Sequence, residues 1–141
     1  MTEGYSHIRS SVERHVAWIE FNRPPINAFN RQMVDETYRA VEAALGDPAV
    51  RVLVLASAIE RYFSAGADLH VFKGLSADGV RDWARRCHEV ARLLRGAGKP
   101  LLAAINGTAV GGGADGGGAE PAVATIAVRL TLPVSKTTRI V

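Results

Sequence analysis

Val50–Ala56 reads VRVLVLA. A short run of valine and leucine between polar residues is the pattern of a buried strand in a parallel sheet. The segments on either side fit that setting. Upstream, Asn30 is placed to cap a helix in which Met33, Val34, Thr37, Tyr38, Val41, Ala44 and Leu45 share one face. Gly46 ends that helix, and Asp47-Pro48 reinforces the stop. Earlier still, Ile8–Ser11 and Val16–Phe21 read as strands, with Arg23-Pro24-Pro25 as a turn after them. Downstream, Ser57–Lys73 reads as a loop holding a special turn, Ser64-Ala65-Gly66-Ala67-Asp68. Val80–Arg95 reads as an amphipathic helix, with Val80, Trp83, Ala84, Cys87, Val90, Ala91 and Leu94 in one apolar stripe. Arg81, Arg85, Arg86, Arg92 and Arg95 lie largely off the stripe, as a solvated face. Pro100–Ile105 is a second buried strand. The order strand, helix, strand, helix, strand predicts right-handed crossovers, a mainly parallel sheet and an α/β fold.

Composition agrees with a globular chain. Of 141 residues, 48% are hydrophobic and 22% charged, which excludes a disordered chain, a collagen-like repeat and a coiled coil. A membrane span needs roughly 18 consecutive apolar residues. Leu101–Ile105 and Ala122–Val128 fall far short. Residues 1–16 carry no apolar signal-like run, so a cytoplasmic setting is expected. A lone cysteine, Cys87, supplies neither an internal bridge nor a zinc site. Net charge is +3, from 17 basic and 14 acidic residues, with no Lys/Arg block that would mark a nucleic-acid partner.

The composition changes once. Half of the 14 glycines lie between Gly107 and Gly118, and Pro121–Val141 holds no acidic residue. Gly111–Asp115 (GGGAD) and Gly116–Glu120 (GGGAE) form a near-tandem repeat. The expected organisation is a patterned core over residues 1–115 and an aberrant Gly/Ala/Val-rich tail over 116–141. Gly111-x-Gly113-x-x-Gly116 also fits the dinucleotide pattern formally, but no acidic residue follows about 20 positions on to hold a ribose.

Three stretches could carry chemistry: Asn22–Phe29 (NRPPINAF), Phe63–Leu69 (FSAGADL) and Lys99–Asp115 (KPLLAAINGTAVGGGAD). Gly66 permits a backbone angle that other residues resist, so the Ala67 amide can point out of its turn. The glycines at 111–113 follow a buried strand and can open a helix, whose first N–H groups have no internal partner. Two such amides from two loops can hold one developing oxyanion.

In this order and spacing the three stretches resemble the enoyl-CoA hydratase/isomerase (crotonase) family, over roughly residues 8–115, the first half of a typical member. The resemblance implies the N-terminal half of a crotonase-type ββα spiral. It also implies that an acyl-CoA thioester carbonyl sits between the amides of Ala67 and Gly112. Ile26 and Ala28 would meet coenzyme A, and Ser64 and Ala65 would flank the same ligand. Asp68, Leu69 and His70 would line its channel, with His70 standing where the family often has lysine. Asp115 aligns with one of the two carboxylates that family hydratases use. Glu120 is its rival through the repeat. The second carboxylate belongs to a later motif of the Phe-Gly-x-Pro-Glu kind, which this sequence does not contain.

The expected activity is trans-2-enoyl-CoA hydration in fatty-acid oxidation, with no metal or redox cofactor and coenzyme A arriving as part of the substrate. Enoyl-CoA isomerisation and an inactive, truncated acyl-CoA-binding relic are the alternatives. A family-typical trimer or hexamer is implied, but its C-terminal contacts have no counterpart in this sequence. The tail after Asp115 is expected to be duplicated, frameshifted or otherwise altered. A half-spiral is also expected to expose apolar surface and to be poorly stable alone.

Overall fold

The computed structural model describes residues 4–110 and the backbone of a strand at 126–129. Strands β1 (Ile8–Glu13) and β2 (Val16–Phe21) form an antiparallel hairpin, with Ile8 opposite Phe21 and Glu13 opposite Val16. Arg14 and His15 make the turn, both at positive φ (48° and 68°), which matches the right-handed twist of the flanking strands. Helix α1 (Arg31–Gly46) follows. Its cap is the expected one: Asn30 Oδ1 accepts the Met33 N–H at 2.8 Å. The chain then enters β3 (Val52–Ser57), parallel to β2.

Next come β4 (Tyr62–Ser64), a 3₁₀ helix (Leu69–Phe72), α2 (Ala77–Arg95), β5 (Leu101–Ile105), β6 (Thr108–Ala109) and β7 (Ile126–Arg129). The main sheet runs β1-β2-β3-β5-β7, and every pair beyond the first hairpin is parallel. β4 and β6 form a small separate parallel pair. β7 lies in the segment that the sequence ties only faintly to the expected helix and strand, yet it extends the sheet beside β5. Among the described residues, no helix is long and apolar enough to cross a membrane.

Several boundaries differ from the sequence reading, including β1, which runs on to Glu13, and β5, which begins at Leu101. α2 begins at Ala77, three residues early, because Ser76 Oγ accepts the Gly79 N–H at 3.1 Å and caps it there. β3 begins at Val52, because the Val50 amide is held in a turn by Asp47 O at 3.1 Å. Ser57–Lys73 is more than a loop, since it contains β4 and the 3₁₀ helix. Strands this short carry no periodic signal.

The core lies between α1 and one face of the sheet. Ala17, Ile19 and Phe21 of β2, Leu53 and Leu55 of β3, and Leu101 and Ala103 of β5 alternate toward Met33, Ala40, Val41 and Ala44 of α1. Glu36 is buried on the same helix. Its carboxylate accepts the Ser6 N–H at 3.0 Å and the His7 N–H at 2.7 Å, tying the start of the chain to α1. Burial pushes this carboxyl up, but those amides and the Gln32 side chain outweigh it and leave Glu36 below its ordinary value.

α2 packs differently. Of its expected apolar stripe only Trp83 is buried, edge-on to Phe72, and Val80 is 41% exposed. Leu93 and Leu94 are partly buried and pack against the core, and polar contacts also join the helix to α1. Arg31 Nη1 donates to Asp82 at 2.6 Å, and Arg86 Nε donates to Asp35 at 2.6 Å with its guanidinium over the Tyr38 ring. Arg86 is therefore an interface residue and not part of a solvated face. Val12, Leu69, Leu75, Val80 and Val110 are the exposed large hydrophobic residues among those described.

Candidate active site

Phe21, at the end of β2, packs edge-on against Phe29 and Phe63, with ring centroids 5.1 and 5.3 Å away. This aromatic group brings two of the three marked stretches together. Asn27 then joins them. It is fully buried at φ 52°, a left-handed conformation that asparagine tolerates better than most residues. Its Nδ2 donates to Ser57 Oγ at 2.8 Å and to Phe63 O at 3.1 Å. Its Oδ1 accepts the Arg23 N–H at 2.8 Å, and its carbonyl accepts Ser64 Oγ–H at 3.0 Å.

The peptide planes around Ala67 follow from these contacts. Phe29 N–H donates to Gly66 O at 2.7 Å, and Asp68 N–H donates to Phe29 O at 2.9 Å. In a trans peptide the carbonyl oxygen and the following N–H point in opposite directions. Gly66 O faces Phe29, so the Ala67 N–H points away from it. The neighbouring amides are all engaged: Ala65 N–H with Ile26 O at 3.1 Å, Gly66 N–H with Ser64 Oγ at 3.0 Å, and Asp68 N–H with Phe29 O. Ala67 N–H meets no acceptor among the described residues. Gly66 has φ 82°, the left-handed geometry that its place in the sequence suggests.

The candidate residues divide by what their side chains do. Ile26, Ala28, Ser64, Ala65, Ala67 and Asp68 converge along these paired loops. Ser64 is fully buried, and its hydroxyl is engaged by Asn27 and Gly66. Asp68 caps the 3₁₀ helix, Oδ1 accepting the His70 N–H at 3.0 Å, while Oδ2 accepts Arg23 Nη1–H at 2.9 Å. The His70 N–H and then the Arg23 guanidinium hold the Asp68 carboxyl below its ordinary value. Leu69 is 78% exposed, and His70 is exposed beside it. Gly112, Asp115 and Glu120 lie outside the described residues. The chain leading to them is nevertheless fixed up to Val110. Thr108 N–H donates to Arg61 O at 2.9 Å, and Val110 N–H donates to Ser64 O at 3.1 Å. Position 107 must be glycine for this pairing, because a Cβ there would overlap the Arg61 backbone. Among the described residues no group of three or more His, Cys, Asp or Glu side chains could hold a metal ion.

The family model for enoyl-CoA hydratase/isomerase matches residues 11–116 of this chain. The chain belongs to the enoyl-CoA hydratase/isomerase family. It is 37% identical over 108 residues to a crotonyl-CoA hydratase of Syntrophomonas wolfei, an alignment covering 76% of this chain and 42% of that protein. It is 33% identical to enoyl-CoA delta isomerase 2 of Homo sapiens, over 77% of this chain and 28% of that one. A solved enoyl-CoA hydratase/isomerase from Xanthobacter autotrophicus superposes with a TM-score of 0.76 at 29% identity, over 87% of this chain and 46% of that chain. The chain thus spans less than half the length of these family relatives. The crotonase-type α/β fold that the sequence resembles is the one observed.

Two residues that organise this site in the present member escaped the sequence reading, Arg23 and Asn27. Both fall in the NRPPINAF stretch, where proline draws the eye. Asparagine after Pro-Pro-Ile was the available signal, since it favours left-handed turns.

Proposed function

We propose that this chain binds an acyl-CoA thioester and polarises its carbonyl through the Ala67 amide. The single observation that supports this most is that amide, aimed away from Phe29 and without an acceptor among the described residues, while its neighbours are all bonded. Hydrogen-bond donors aimed at a developing oxyanion each contribute about 3 kcal/mol in acyl chemistry. Gly112 supplies the second donor in this reading, Asp115 the proton-transfer carboxylate, and exposed Leu69 an apolar wall for the ligand. The activity proposed is trans-2-enoyl-CoA hydration.

The test is loss of the conjugated thioester absorbance when crotonyl-CoA is added. Asp115→Ala is expected to slow turnover by about 10²–10⁴-fold, the usual contribution of a placed acid or base. Turnover unchanged in Asp115→Ala would reject the assigned role. A second reading is that the chain binds the thioester without turning it over. Saturable crotonyl-CoA binding with no change in absorbance would select it.

A further inference from the structure

We infer that Arg23 and Asp68 are positioning residues, forming one clamp that fixes the Ala67 amide relative to the Asn22–Phe29 loop. This rests on the reading of Ala67 as a carbonyl donor. Arg23 places a single nitrogen between the two loops. Nη1 carries two hydrogens, and its two acceptors are Ala28 O at 2.6 Å and Asp68 Oδ2 at 2.9 Å. The other Asp68 oxygen receives the His70 N–H at 3.0 Å. Asp68 therefore uses both oxygens, one toward each side of the turn. Its own amide, bonded to Phe29 O, fixes the peptide that follows Ala67. On the other side, Phe29 fixes the peptide that precedes Ala67, and Arg23 holds the carbonyl of the residue just before Phe29. The pair is only partly shielded, with side chains 25% and 15% exposed. A charge-assisted pair sharing backbone partners at both ends gives geometric control beyond its own strength.

The clamp makes a specific demand on residue 68. A carboxylate satisfies Arg23 and the His70 amide together, whereas an asparagine side chain offers one acceptor oxygen and meets only one of them. The two loops are thus expected to loosen together when either partner is changed.

Two measurements test this. The first is amide hydrogen exchange on the ligand-free protein. Asp68→Asn is expected to speed exchange roughly tenfold or more in peptides covering both residues 22–29 and residues 64–70, as loss of a charge-assisted bond implies. β1, β2 and β3 should be unchanged. Arg23→Met should give the same pattern, and the double variant should add little to either single one. A response in one loop only, in neither loop, or additive effects of the two substitutions would overturn the clamp. The second uses cinnamoyl-CoA, whose conjugated carbonyl absorbs at longer wavelength when hydrogen-bonded. Bound to the natural protein it should show a red shift, and bound at saturation to either variant a smaller one. A full shift in both variants would refute the positioning role. If the natural protein binds cinnamoyl-CoA without any shift, the carbonyl-donor reading fails, while the exchange result still decides whether the clamp exists.

Discussion

α1 and α2 are helices of similar length with opposite relations to the fold. α1 has 16 residues and buries Met33, Val34, Glu36, Thr37, Ala40, Val41 and Ala44. α2 has 19 residues and buries Trp83 alone. Both show an apolar face in the sequence. The difference lies in what each face meets. α1 lies on the sheet, where the alternating side chains of β2, β3 and β5 rise to fill the space beneath it. α2 lies on α1, joined by Arg31–Asp82, Arg86–Asp35 and the Arg86–Tyr38 stack. An apolar stripe states that a helix has a side to bury, not that the described chain buries it.

The comparison can be broken most directly at Met33. Met33→Ala should cost about 2–5 kcal/mol in urea unfolding, the range for emptying a fully buried site. A smaller effect is expected at Glu36. Glu36→Gln should cost about 1–3 kcal/mol, because two backbone amides lose a buried charged acceptor. The pH dependence sharpens this prediction. The Glu36 carboxyl titrates below its ordinary value when folded, so its contribution is present above the ordinary glutamate range. It fades as pH falls through the lowered value, so the natural protein should lose stability on acidification more steeply than Glu36→Gln. The smallest effect is expected on α2, where Val80→Ala should change stability by less than about 0.5 kcal/mol, as at other exposed positions. A Val80→Ala cost equal to that of Met33→Ala would show that the two helices are not as different as their burial implies.

Much of the fold was legible because it rests on periodicity. Val52–Ala56 of the VRVLVLA run lies in a parallel strand with a buried centre, Asn30 is the cap, and Gly46 is the last residue of α1. The β4–β6 pair was not legible, since three- and two-residue strands have no period to read. The site divides in the same way. Gly66 announced its turn, because few other residues take φ 82°. The roles of Arg23, Asn27, Ser64 and Asp68 are contacts between side chains and distant backbone, and such contacts leave no pattern along the chain. Reading Ser64 and Asp68 as ligand neighbours followed from their place beside Ala67. The structure shows that the side chains of both are engaged within the protein.

Gly107 has a reach that its size belies. Its hydrogen faces the Arg61 main chain so closely that no methyl group fits. Even the smallest chiral residue at that point would act as a wedge. The parting it forced would travel three residues to Val110, where the segment bearing the proposed second amide departs. Mutational tolerance at a solvent-facing position is thus set by its fit against a neighbouring main chain, and drift there is closed off without any ligand touching it.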